Sequence, residues 1–156
     1  MKTKSNIQLD LTENERSKLR KQKLKKSDIE DYATDELTII LDVSEHRAKE
    51  ILALVEFQKI PSIGIKFAKD LVFLGYYDTD SLKEKKGSEL LNEYEKKKGF
   101  QTDPCVEDQF RLAADYAKNR DQNKNWWDFT EERKKYRAEN GYPKNRPKVK
   151  WTEVEN

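Results

Sequence analysis

Ile60 to Leu71 reads IPSIGIKFAKDL, a Pro-Ser-Ile-Gly interruption between two helix-like segments, followed by two lysines. The chain has only 5 glycines among 156 residues, so a glycine three places after a proline marks a turn built for its backbone. Upstream, Ser44 is a ready N-cap, and Ala48, Ile51, Leu52 and Val55 recur at helical spacing. Downstream, the pattern predicts a helix from about Lys66 to Leu74 with Ala68, Leu71 and Val72 inward. Gly75 suits the left-handed residue past its end. Two readings of the corner stay open. It either lets one helix fold back on the other, or its free amides and the following helix dipole receive an anion, with Lys66 and Lys69 adding charge.

Setting ILDVSEHRAKEILAL (Ile40 to Leu54) over IPSIGIKFAKDLVFL (Ile60 to Leu74) aligns Ile40 with Ile60, Val43 with Ile63 and Ala48 with Ala68. It also aligns Lys49 with Lys69, Glu50 with Asp70, and Leu54 with Leu74. The match describes two successive hairpins that share their middle helix, the first turn lacking the proline and glycine of the second. Such units bury their apolar faces on each other.

The rest of the chain reads as helix around this centre. Thr12 and Glu15 have capping-box spacing, and the run from Arg16 to Lys26 is strongly basic with few apolar positions, a helix with little to bury. DELTIIL is read as helical despite its β-branched residues. SELLNEYEKKKG starts at a Ser88 cap and stops at Gly99. Asp103-Pro104 starts a helix whose inner face is Val106, Phe110, Ala113 and Ala117. After Trp126 and Trp127, TEERKKYRAEN forms a last helix ending at Gly141. The expected fold class is all-α, a tandem of helix-hairpin-helix units with a degenerate first hairpin and additional C-terminal helices. It divides into residues 1–33 (basic N-terminal helix and flanking segment), 34–140 (the hairpin domain) and 141–156 (an extended basic tail).

Composition narrows the functional classes. Charged residues make up 40% and hydrophobic ones 35%, which implies a small core under an ion-dense surface. A net charge of +2 is too weak to imply a polyanion partner, so only local clustering can argue for one. The lone Cys105 excludes an internal disulfide framework and a multi-cysteine zinc site. With no apolar run of membrane-spanning length, we expect a cytoplasmic chain with no membrane partner.

The spacing in IPSIGIKFAKDL resembles the helix-hairpin-helix motif, with Pro61, Ile63, Gly64 and Ala68 in place and Ser62 where the motif has its first glycine. That resemblance implies phosphate contact without sequence readout, with a monovalent cation sometimes held by hairpin carbonyls. Together with DPCVEDQFRLAADYA and WWDF, the stretch resembles the bacterial pathogenicity-locus family of small helix-hairpin-helix proteins over roughly half the chain. The resemblance implies an α-helical domain and DNA binding.

The expected DNA-binding residues are Pro61, Ser62, Ile63, Gly64, Ile65, Lys66 and Lys69, with Arg47 and Lys49 of the degenerate repeat as auxiliary contacts. Gly64 is expected either to need unusual backbone angles or to allow close phosphate approach. Trp126 and Trp127 read as core anchors or as base-stacking platforms. Cys105, in a first turn whose dipole favours thiolate, has no base or resolving partner. Glu107 and Asp108 read as an exposed face, His46 lacks companion metal ligands, and no enzyme chemistry or cofactor is expected. The expected function is non-enzymatic, sequence-independent DNA binding; the alternative is a protein-protein interaction module on the same fold.

Overall fold

The Thr12 hydroxyl accepts the Glu15 amide at 3.1 Å while the Glu15 carboxylate accepts the Thr12 amide at 2.9 Å. This reciprocal cap starts α1 (Glu13–Lys21). The structure, a computed structural model, describes residues 7–154. The first six residues of the polar start and the last two of the tail lie outside the described residues. The helix stops short of the basic run's end, because Lys23 turns to a φ of 58°, and a 3-10 turn follows at Lys26–Asp31.

Next come α2 (Thr34–Leu41) and α3 (Glu45–Phe57), the latter capped by the Ser44 hydroxyl accepting the Arg47 amide at 3.1 Å. Then follow α4 (Ile65–Phe73), α5 (Gly87–Lys98), α6 (Cys105–Asn119), α7 (Thr130–Asn140) and a terminal turn, α8 (Trp151–Val154). The architecture is all-α among the described residues. No helix there is long and apolar enough to cross a membrane.

α5 starts one residue before Ser88, which is buried inside the helix rather than capping it. The cause is a close approach to α6: a Cβ on Gly87 would stand 2.6 Å from the Arg111 Cα and 2.7 Å from its backbone nitrogen. Only glycine lets the two helices meet there.

Packing forms two apolar clusters. The main one gathers Leu54, Phe57, Ile60, Ile63, Phe67 and Leu71 with residues of α5 and α6. The second gathers Leu11, Leu19, Ile29, Leu37, Leu41, Ala48, Ile51 and Val55. The basic helix therefore does bury something: Leu19 and Glu15 are both inside, and α1 packs on α2. Leu19 is the helix's one apolar residue, and Glu15 lies one turn before it on the same face.

α2 packs on α3 and α3 on α4, so successive helices share a partner. Ala48 and Ala68, equivalent in the repeat, are both fully buried, one in each cluster. Ala48→Leu and Ala68→Leu are each expected to overpack a cluster and cost about 1–3 kcal/mol in thermal melts. Unchanged stability in both would show that neither site is a close helix contact.

The tail is tied down rather than free. The buried Glu95 carboxylate accepts from Arg146 at 2.7 and 3.0 Å and from the Thr102 amide at 2.9 Å. Farther along, the Gln101 amide donates to the Val149 carbonyl at 2.7 Å and the Trp151 amide to the Gln101 carbonyl at 2.6 Å.

Candidate nucleic-acid interface

α3 ends against a buried glutamine. The Gln58 side chain accepts the Gln8 amide at 3.0 Å and donates to the Gln8 carbonyl at 2.6 Å, pairing like a strand with the N-terminal segment. The chain then turns through Ile60 to Gly64, anchored by Ile60 and Ile63, both fully buried. Pro61 is half-buried, and the Ile63 amide donates to the Ile60 carbonyl at 3.2 Å.

The turn's left-handed residue is Ser62, with φ of 62°. Its position is where the motif it resembles has glycine, and a side chain there costs backbone strain. Part of that cost is offset, because the Ser62 hydroxyl accepts the Trp126 amide at 3.0 Å. Gly64 is different: φ is −101° and ψ −173°, ordinary extended backbone. The expectation of unusual angles at Gly64 is thereby corrected. What distinguishes it is space, since a Cβ there meets nothing within 4 Å.

Gly64 is the N-cap of α4 and makes no side-chain cap hydrogen bond. The amides of Ile65, Lys66 and Phe67 have no carbonyl a turn earlier within the helix and lie at the positive end of its dipole. Lys66 is exposed and forms no ion pair among the described residues.

Lys69 is also exposed but pairs with Asp10 at 3.0 Å. Burial pushes the Asp10 carboxyl up, yet the Lys69 hydrogen bond and the Arg47 and Lys69 charges outweigh it and hold it below the usual carboxylate range. One turn on from Lys66, burial pushes the Asp70 carboxyl up, against a hydrogen bond from the Tyr94 hydroxyl at 3.0 Å and the charges of Lys98 and Lys66.

The structure adds two lysines that the sequence reading did not gather. Lys97 and Lys98, at the end of α5, stand over the Phe73 ring at 4.6 and 4.5 Å. They join Lys66 and Lys69 on the α4 side of the molecule, through contacts 24 residues apart with no local signal.

Arg47 and Lys49 part company. Arg47 donates to both Glu15 oxygens at 2.9 Å, to Glu50 at 2.6 Å and to the Asp10 carboxylate at 3.3 Å. This commits its guanidinium to holding α1 on α3. Lys49 is exposed, its ammonium 4.6 Å from the Tyr77 ring centre, beside His46.

Glu107 and Asp108 are not the exposed face expected of them. Both are fully buried: Glu107 pairs with Arg111 and Arg137, and Asp108 with Arg133 and the Thr130 hydroxyl. They pin α7 to α6. Nor does Cys105 gain thiolate character from its helix. Partial burial pushes the thiol up, and the Asp103 charge and hydrogen bond add to that.

Among the described residues no group of His, Cys, Asp or Glu is arranged to hold a metal ion. A cation bound by oxygen needs several of them converging. In the hairpin the Ile60 carbonyl accepts from the Ile63 amide and the Gly64 carbonyl from the Ala68 amide.

A protein-family model described as Pathogenicity locus matches residues 50–135, from within α3 to within α7. No curated protein and no solved structure matches the chain.

Proposed function

The chain belongs to the pathogenicity-locus family, its matched span taking in the whole corner, and from that premise we propose that the Pro61–Lys69 corner is a helix-hairpin-helix unit binding the DNA backbone without reading sequence. The observation that carries this reading is the start of α4: its N-cap Gly64 has no side chain to cap it, and a Cβ there would meet open space. A phosphate placed there meets backbone amides and the helix dipole. Lys66 supplies charge from the first turn, and Lys97 and Lys98 extend the basic surface along the α5 end. Backbone amides hold phosphate but carry no base information. The role is non-enzymatic, uses no cofactor, and places the protein with DNA in a bacterial cytoplasm.

A second reading, a protein-binding module, is favoured by one observation. A groove of about 290 Å³ beside the corner combines the carboxylates Asp10 and Glu50 with Leu54, Val72 and Phe73, and Asp10 already neutralises Lys69.

Titration of labelled duplex DNA at several salt concentrations separates the two. The DNA reading expects micromolar or weaker affinity, independent of sequence and falling steeply with salt. Lys66→Gln should weaken binding on all sequences and make the salt slope shallower by about one unit. Asp10→Asn should free Lys69, strengthening binding and steepening the slope. No binding by the wild type at low salt, or a Lys66→Gln variant with unchanged affinity and slope, returns the corner to the protein-binding reading.

A further inference from the structure

Trp127 is 54% exposed, and its setting is unusual for a surface tryptophan. Single exposed apolar side chains are common and need no explanation on their own. This one is held from several directions. Trp126, before it, packs on the main cluster, and Phe129, after it, is buried. The 3-10 turn Trp126–Phe129 is closed by the Asn125 amide donating to the Asp128 carboxylate at 2.8 Å. The two indole rings meet edge to face, 5.4 Å between centres and 82° between planes. Trp127 is thus a fixed platform rather than a loose side chain.

Its place in the fold matters more than its exposure. The Trp126 amide donates to the Ser62 hydroxyl, so the turn carrying Trp127 is bonded to the corner itself. With that bond at 3.0 Å, the Trp127 Cα lies within about 8 Å of the Ser62 hydroxyl, since consecutive Cα atoms are about 3.8 Å apart. The turn that bears Trp127 therefore borders the corner two residues before the N-cap of α4. The residue at 62 makes the link specific. A glycine there would relieve the backbone but would have no hydroxyl to accept the Trp126 amide.

Resting on the DNA reading of the corner, we infer that Trp127 stacks an unpaired base next to the phosphate bound at Gly64, so that the site takes single-stranded DNA or the single-stranded side of a duplex end. A paired base is already stacked on both faces and offers Trp127 nothing, whereas an unpaired one exposes its ring. The stacking is sequence-tolerant, because every base has a π-face.

The test compares full-length wild type, Trp127→Ala and Trp127→Phe for binding to a short oligo-thymidine, a duplex with a thymidine overhang and a blunt duplex, with tryptophan fluorescence recorded in each titration. The expected result is that wild type prefers the unpaired probes over the blunt duplex by on the order of tenfold, with fluorescence quenched. Trp127→Ala should lose both the preference and most of the quenching, Trp127→Phe should keep part of the preference, and blunt-duplex affinity should hardly change. Circular dichroism melts of both variants should match wild type. A wild type that binds the blunt duplex as tightly as the overhang overturns the inference and leaves the DNA reading standing. So does a Trp127→Ala variant that loses affinity equally for all three probes. Absence of binding to any probe overturns the DNA reading itself.

Discussion

Glu107→Ala is expected to destabilise the fold by about 3–5 kcal/mol, because it removes one side of a fully desolvated ionic cluster. The Glu107 carboxylate is 0% exposed, accepting from Arg111 at 3.0 Å on one oxygen and from Arg137 at 2.9 Å on the other. The side chains of Arg111 and Arg137 are only 10% and 8% exposed, so the variant leaves two guanidiniums inside without their common anion. Arg137 would still donate to the Ser88 and Gly141 carbonyls. Arg111 would keep the exposed Glu132 and the face of the Tyr136 ring. For a chain of this size the loss corresponds to a fall in melting temperature of about 10 °C. Glu107→Gln, which retains an acceptor, should lose less. A loss below about 1 kcal/mol for the alanine variant in urea unfolding would mean that the arginines find water or new partners, and that α7 is not held by this cluster.

Gly64→Val should separate stability from function. Valine is at home in extended backbone, and with φ at −101° and nothing within 4 Å of a built Cβ, the fold should lose no more than about 1 kcal/mol, the cost of an apolar branched residue at the N-cap. Binding is another matter, since the branched side chain would fill the space over the α4 amides. Losing two charge-assisted hydrogen bonds should weaken duplex binding by on the order of a hundredfold. Anisotropy titration at low salt, paired with a melt of the same preparation, checks both halves. Unchanged affinity would move the phosphate away from this turn, and a large loss of stability would contradict the open geometry at Gly64.

What the sequence made legible was set by near neighbours. The Thr12 and Ser44 caps and the left-handed Gly75 and Gly99 all act within a few residues, and each lies where its spacing predicts. The repeat paired Ala48 with Ala68, both of which are buried, because apolar spacing survives the loss of turn residues. The partners across the fold were not legible. Glu107 and Asp108 look solvated beside Phe110 until Arg133 and Arg137 arrive from α7. Arg47 looks free until Glu15, 32 residues earlier, closes on it. At the corner, the special backbone belongs to Ser62 rather than Gly64, stabilised by an amide 64 residues away. Charge pairs and single hydrogen bonds at such separations leave no periodicity to read.

Helix α3 contributes Ala48, Ile51 and Val55 to one apolar cluster and Ala53, Leu54 and Phe57 to the other. Considered as a hydrogen-exchange experiment, that division makes α3 a ruler between two opening units. The N-terminal unit can detach while the Phe57 end of the helix stays coiled against α4, so amide protection should rise along α3 toward the corner. Exchange of the α4 amides would then report chiefly on the main cluster, and a ligand seated at Gly64 would slow exchange at that end of α3 more than at the Ser44 end.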